Sequence, residues 1–263
     1  MVFDYYPGCT LKTKAKKLDI FARKAAEKLG FELREVEEWQ CCGAVYPMGA
    51  DAVVSKMPSV RALKASRDNE RVLVTLCSAC HHVMKRVNRD VAEDAFFRAT
   101  LTAYDVDLTY DGGTEVLHFL EVLRDKIGFD KLKQAVTNPL VGRKIGAYYG
   151  CLLLRPGGVM AFDDPENPTI IEGFISALGA EPVKYSMRNE CCGGYISLGE
   201  TEMSSKMCHK LAEDAARQGA EELITACPLC AYNVKKQAGE ILPITYFTEI
   251  LAEALGLDME GVE

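Results

Sequence analysis

Cys41-Cys42-Gly43, followed by Cys77-Ser78-Ala79-Cys80, and Cys191-Cys192-Gly193, followed by Cys227-Pro228-Leu229-Cys230, are two copies of one pattern. In each copy the Cys-x-x-Cys begins 36 residues after the Cys-Cys-Gly, and the copies are offset by 150. Sliding 41–80 onto 191–230 without a gap matches 14 of 40 positions, among them Ser55-Lys56-Met57 on Ser205-Lys206-Met207. Self-similarity over such a length marks a duplicated structural unit, which has to be recognised before any element is assigned.

The likeness extends both ways. Upstream, Tyr5-Tyr6-Pro7-Gly8-Cys9 matches Tyr148-Tyr149-Gly150-Cys151; downstream, His118-Phe119-Leu120-Glu121 matches Tyr246-Phe247-Thr248-Glu249. Each half therefore owns five cysteines in one order: Cys9, Cys41, Cys42, Cys77 and Cys80, then Cys151, Cys191, Cys192, Cys227 and Cys230. Cys208, the eleventh, falls opposite Pro58 and is expected to be a buried packing residue, since a free thiol behaves as a small hydrophobe.

Each half reads as alternating strands and helices. A short apolar run at 2–6 ends in Pro7-Gly8, and Leu18, Phe21, Ala22, Ala25, Ala26 and Leu29 follow at helical spacing up to Gly30. Ile171, Phe174, Ile175 and Leu178 repeat that helix before Gly179. The runs 72–76 and 223–226 favour strands and deliver each Cys-x-x-Cys at a strand end with a helical pattern after it. The expected fold is α/β: two tandem domains related by a pseudo-twofold axis, 1–141 and 142–263, each with a mostly parallel sheet and one metal site. Two insertions break the symmetry, 88–112 in the first half and a Pro/Gly-rich stretch after Cys151 in the second. Asn138-Pro139 marks the junction.

Composition sets the limits. Of 263 residues, 48% are hydrophobic and 26% charged, which suits a globular chain, and a net charge of -7 argues against binding nucleic acid. No apolar run approaches the ~20 residues of a membrane helix, and the N-terminus lacks a signal-peptide pattern, so the expectation is a cytoplasmic protein without membrane insertion. In a reducing compartment, clustered thiols bind metal or do redox chemistry.

Sites of open parallel sheets lie at the carboxyl ends of the strands, where all five cysteines of each half are expected. Gly43 and Gly193 permit a tight turn that lets adjacent cysteines address one centre. Thiolates at a helix N-terminus gain from free N–H groups, which suits Cys77, Cys80, Cys227 and Cys230. Zinc is the plain reading of Cys-x-x-Cys, and a thioredoxin-like dithiol is another. Five thiols per half are one more than zinc or an ordinary cubane takes, which favours iron–sulfur chemistry.

This spacing resembles the tandem cysteine-rich, or CCG, domains of the heterodisulfide reductase B subunit over nearly the whole chain. The resemblance implies that each five-cysteine set holds a [4Fe-4S] cluster of the noncubane type. It also implies reduction of a small-molecule disulfide, such as the coenzyme M–coenzyme B heterodisulfide, at the interface of the halves, each sulfur landing on one cluster. Implied partners are the ferredoxin-like C subunit of heterodisulfide reductase, fed in turn by its flavin-containing A subunit. CCG domains also occur in quinone-reducing subunits of succinate or fumarate reductases, and a non-catalytic electron-relay subunit is a further alternative. Here the first motif continues Ala44-Val45-Tyr46-Pro47, closer to bacterial relatives than to the methanogen form.

Beyond the thiols, His81 and His82 after Cys80 are candidate proton donors, the second half having Ala231 and Tyr232 there. His118 and Arg155 are candidate substrate or proton contacts. Lys12, Lys14, Lys16 and Lys17 read first as a solvated helix face, and Trp39 as a shield over the thiols.

Overall fold

A computed structural model of the chain describes residues 1–44 and 51–258. Val45-Tyr46-Pro47 of the first motif lie outside the described residues. The first half runs β1 (Val2–Tyr6), α1 (Gly8–Lys12), α2 (Lys16–Lys28), β2 (Glu32–Glu35), α3 (Met57–Asp68), β3 (Leu73–Thr75), α4 (Ser78–Glu93), α5 (Ala95–Tyr104) and β4 (Val116–His118). A short α6 (Phe119–Glu121), a π-helical turn at Val122–Ile127 and α7 (Phe129–Ala135) lead across to the second half. There follow β5 (Lys144–Tyr148), α8 (Gly157–Met160), α9 (Ile170–Ala177), β6 (Glu181–Val183), α10 (Thr201–Arg217), β7 (Glu222–Thr225), α11 (Pro228–Ala238), β8 (Ile244–Tyr246) and α12 (Phe247–Ala254).

All strand pairs are parallel, in the orders β2-β1-β3-β4 and β6-β5-β7-β8. The chain leaves β1 toward one edge and returns to lay β3 on the other side, so the switch point lies between β1 and β3, and likewise between β5 and β7. A crevice opens at the carboxyl ends of such neighbouring strands, because the connections diverge to opposite faces of the sheet. Cys9 and Cys77 flank the first crevice, Cys151 and Cys227 the second. Tyr6 pairs with Thr75 and Tyr148 with Thr225, which brings the two halves into the same register. The helix stops expected at Gly30 and Gly179 are present, at φ +82° and +88°, where a side chain would be strained. The 88–112 insertion lengthens α4 and adds α5.

One apolar cluster runs through both halves, joining Phe3, Phe31 and Phe119 to Phe162, Phe174 and Phe247. Each large side chain so buried contributes about 1.5–3 kcal/mol, and here those contributions join the halves as well as filling them. Helix α2 packs on α12, with Thr248 Oγ1 donating to Leu18 O at 3.0 Å, and α7 packs on α9.

Candidate metal centre

The sites are built on strand ends. Cys77 and Cys227 each follow a buried strand in extended conformation and serve as N-caps of α4 and α11, so Cys80 and Cys230 fall in the first helical turn. Gly8 (φ +72°) and Gly150 (φ +65°) turn the chain after β1 and β5 into Cys9 and Cys151. A Cβ on Gly8 would come within 2.7 Å of Cys80 Sγ, and one on Gly150 within 3.4 Å of Cys230 Sγ. The expected turns at the Cys-Cys-Gly motifs are present: Gly43 and Gly193 both have φ +73°, and their N–H groups donate to Cys41 Sγ at 3.5 Å and Cys191 Sγ at 3.3 Å.

Sequence reasoning missed a pair of tyrosine clamps. Tyr6 Oη donates to Gln40 O, and Tyr148 Oη donates to Glu190 O at 2.9 Å. Each ties the strand leading to the first cysteine to the residue preceding the Cys-Cys pair. The signal was present, since both tyrosines stand three residues before Cys9 and Cys151. Trp39 is half-buried, stacks edge-on against Tyr6 with centroids 5.6 Å apart, and donates to Glu35 Oε1 at 2.9 Å.

The thiols form a chain of contacts. Cys41 lies 3.5 Å from Cys9, Cys42 3.5 Å from Cys80, and Cys192 3.5 Å from Cys230. Cys151 and Cys191 line one pocket, and Cys227 is buried in one cluster with Cys42, Cys77 and Cys80 across the boundary between the halves. Hydrogen bonding with Cys41 and Cys80 holds the Cys42 thiol down at about 3, and hydrogen bonding with Cys151 holds Cys191 down at about 6. Their partners Cys41 and Cys151 are pushed up by the same bonds and by burial. In each set the neighbours thus stabilise a thiolate by sharing protons, a role a bound cation takes over.

The residues fit a polynuclear group. All five thiols of the second set, with Tyr149 and Leu229, line one apolar pocket, more sulfur donors than a single metal ion takes, and the glycine cradles keep Cβ atoms away from the Cys80 and Cys230 sulfurs. Among the described residues no three His, Cys, Asp or Glu side chains are arranged around a single metal ion. A larger cavity, about 310 Å³, opens beside the first set between Cys42, Lys56, His82, Arg86, Leu152 and Tyr195.

The other predicted residues are distributed unevenly. His82 is half-buried on the wall of the larger cavity, its Nδ1 3.2 Å from Leu152 O in the Cys151 loop, and burial lowers its pKa. His81 is wholly buried, 3.2 Å from Thr75 Oγ1 and 3.4 Å from Glu121 Oε2; burial holds it well below its usual range and pushes Glu121 up to about 7. His118 caps α6: its Nε2 donates to Leu76 O at 2.8 Å, Leu120 N–H donates to Nδ1, and burial draws it down to about 4. Arg155 donates to Asn189 O at 2.8 Å and pairs with Glu166 at 3.3 Å, bracing the loops before Cys191 and after Cys151. Lys12 pairs with Glu35 and Lys17 with Glu249, both at 2.7 Å, while Lys14 and Lys16 are exposed.

Several contacts across the boundary were invisible in the sequence. Ser78 donates through both N–H and Oγ to Ala226 O, Tyr246 Oη donates to Leu76 O, and Tyr195 Oη donates to Ala44 O. Leu76 and Ala226 precede Cys77 and Cys227, so the carbonyls leading into the two inner cysteines are among the groups that tie the halves together.

The cysteine-rich CCG domain matches residues 3–85 and 145–235, once in each half and together more than half of the chain. The chain belongs to the CCG cysteine-rich domain family. Curated relatives match it along nearly the full length. One is the 8-methylmenaquinol:fumarate reductase membrane anchor subunit of Wolinella succinogenes, 28% identical, covering 97% of this chain and 92% of the relative. Another is the ferredoxin:CoB-CoM heterodisulfide reductase B subunit of Methanosarcina mazei, 25% identical, covering 97% and 90%. Among solved structures, a hypothetical protein from Helicobacter pylori superposes with a TM-score of 0.72 at 10% identity, which shows the fold; this CCG chain spans 98% of its own length and about half, 49%, of that chain. Both named relatives are subunits of oxidoreductases, and the five-thiol CCG sets suggest iron–sulfur clusters. No helix among the described residues is long and apolar enough to cross a membrane.

Proposed function

We propose that this chain is the disulfide-reducing subunit of a heterodisulfide reductase-like complex. A disulfide takes up two electrons and two protons, its S–S bond breaks, and two thiols leave. Cys9, Cys41, Cys42, Cys77 and Cys80 hold one [4Fe-4S] cluster of the noncubane type, and Cys151, Cys191, Cys192, Cys227 and Cys230 the other. When bound, the clusters supply single-electron chemistry twice over, which a two-electron bond cleavage requires. The observation that carries this reading is the burial of Cys227 in one cluster with Cys42, Cys77 and Cys80, with Cys230 packed against it, which makes the two thiol sets continuous across the boundary between the halves.

The chain's own residues bind, orient and exclude water. The tyrosine clamps and glycine turns hold the thiols, while Leu152, Leu229 and Tyr149 line the adjoining spaces with mostly apolar surface. His82 is the histidine placed to contact substrate, because it lines the larger cavity; His118 and Arg155 brace the loops behind the thiols, and His81 packs behind the end of β3. Electrons come from a ferredoxin-like C subunit, fed by a flavin-containing A subunit. The relative from Wolinella succinogenes, named for a menaquinol reaction, supports a second reading in which the same centre exchanges electrons with a quinone.

Two measurements on anaerobically matured protein test the proposal. Metal analysis is expected to give about eight irons per chain and no stoichiometric zinc; one zinc with about four irons would overturn the paired assignment. The assembled complex with an artificial electron donor is expected to reduce a disulfide faster than a menaquinone analogue, and the reverse order would favour the quinone reading.

A further inference from the structure

The two halves are alike in their thiols and unlike in what holds them. Ser204 and Cys208 stand one turn apart on α10, Asn233 stands one turn after Cys230 on α11, and the two helices pack together. All three side chains are buried and close on one atom. Asn233 Nδ2 donates to Cys192 O at 2.8 Å and to Ser204 Oγ at 3.1 Å, and Cys208 Sγ donates to Cys192 O at 3.2 Å. Both lone pairs of a buried carbonyl are thereby satisfied. Gly193, at φ +73°, seats the turn directly on α10, where a Cβ would come within 3.1 Å of Ser204 Cα.

At the repeat offset the first half carries Val83, Val54 and Pro58 in place of Asn233, Ser204 and Cys208. None of these side chains can hydrogen-bond, so none can anchor the Cys42 carbonyl. The loop before each Cys-Cys pair shows the same inequality. Tyr149 N–H donates to Arg188 O at 2.9 Å, Arg155 donates to Asn189 O at 2.8 Å, and the Arg188 guanidinium meets the buried Glu172 carboxylate at 3.2 Å. In the first half Pro7 stands opposite Tyr149 and has no N–H to give. Cys9 is exposed where Cys151 is half-buried, and the cavity of about 310 Å³ reaches Cys42.

We propose that Asn233 is a positioning residue that pins Cys192, and that the two clusters are therefore unequal: the second keeps its ligands while the first exchanges them readily. An incoming ligand displaces a thiol of the first set before one of the second. This rests on the paired clusters of the proposed function and is independent of the substrate.

Iron release from the anaerobic holoprotein to bathophenanthroline disulfonate, followed by absorbance, tests this without turnover. The parent is expected to show two phases of equal amplitude, one slower by about tenfold, the factor that one buried hydrogen bond is worth. Paired replacement of Cys41 and Cys42 by alanine is expected to leave the slow phase alone, and that of Cys191 and Cys192 the fast one. The iron remaining after the fast phase in the parent should give the electron paramagnetic spectrum of the first of these double variants. Asn233→Val, which installs the side chain found at position 83, is expected to raise the slow rate about tenfold and leave the fast rate alone. Thr248→Val loses a buried hydrogen bond to Leu18 O away from the thiols, and is expected to lower the melting temperature without changing the ratio of the two rates. If Asn233→Val assembles with one cluster only, Ser204→Ala, which removes just the hydroxyl beside the amide, decides by the same slow rate. A single phase in the parent, a slow phase that belongs to the first set, or a slow phase indifferent to these substitutions overturns the proposal. If Asn233-dependent release holds while the complex reduces no disulfide, the positioning role stands and the disulfide reading falls. Equal release beside disulfide reduction that needs both clusters gives the reverse.

Discussion

Gly8 and Gly150 show how much a single atom weighs in these sites. Both have positive φ, so alanine costs roughly 1–2 kcal/mol in backbone strain at either position. Only at Gly8 does the new Cβ also come within 2.7 Å of a site thiol, against 3.4 Å at Gly150. Gly8→Ala is therefore expected to displace Cys80 and release about half of the bound iron, whereas Gly150→Ala lowers the melting temperature and keeps it; iron analysis beside thermal unfolding separates the two. Cys208 makes the opposite case. It is buried, as expected from its lack of a partner in the repeat, but its thiol donates to Cys192 O. Serine preserves that donor, so Cys208→Ser is expected to retain full iron content. Cys42→Ser and Cys191→Ser should lose or remodel a cluster, visible in the electron paramagnetic spectrum. The ten repeated cysteines were legible in the sequence because covalent spacing alone carries them. The hydrogen bonds around Cys192 were not, since they depend on how α10 and α11 pack.

At the level of elements, each sheet ends in the same device. His118 N–H donates to Glu121 Oε2 at 2.6 Å where β4 enters α6, and Tyr246 N–H donates to Glu249 Oε2 at 3.0 Å where β8 enters α12. Both carboxylates accept an otherwise orphaned helix N-terminal N–H. Burial raises Glu121 to about 7, so the folded chain retains a proton that the unfolded chain gives up near 4.5. For an acid shifted upward, the associated stability is fully present below the unfolded value and is lost as pH rises through the folded one. Between pH 5.5 and 7 the loss amounts to about 2 kcal/mol at most. Glu121→Gln keeps the acceptor and cannot ionise, so its melting temperature relative to the parent is expected to rise from pH 5.5 to pH 8; a constant difference would contradict the shift. His118, drawn down to about 4 by burial, acts in the other direction and destabilises only as pH falls below 6.5. Strands and glycine helix stops were readable from short apolar runs and from Gly30 and Gly179. The cavity was not, because it arises where α4 of one half meets the Cys151 loop and Tyr195 of the other, contacts that no local pattern encodes.

Across the whole molecule, the two repeats behave as one body. We propose a division at 141/142, yet the apolar cluster passes through both halves, and Thr137 and Asn138, before that division, donate to Ala254 O near the end of α12. Separately produced 1–141 and 142–263 are therefore expected to expose apolar surface and fail to retain iron, with co-production restoring a complex that elutes at the size of the intact chain. The same joining buries Cys77 and Cys227 in one cluster, and on that proximity the proposed chemistry rests. If one disulfide is divided between two sites, neither set suffices alone. The most direct measurement is disulfide reduction by the anaerobically reconstituted complex, with an artificial electron donor, after paired replacement of Cys41 and Cys42 or of Cys191 and Cys192 by alanine. Each double variant is expected to lose about half the iron and essentially all turnover; substantial turnover with either cluster gone would contradict the paired-site account.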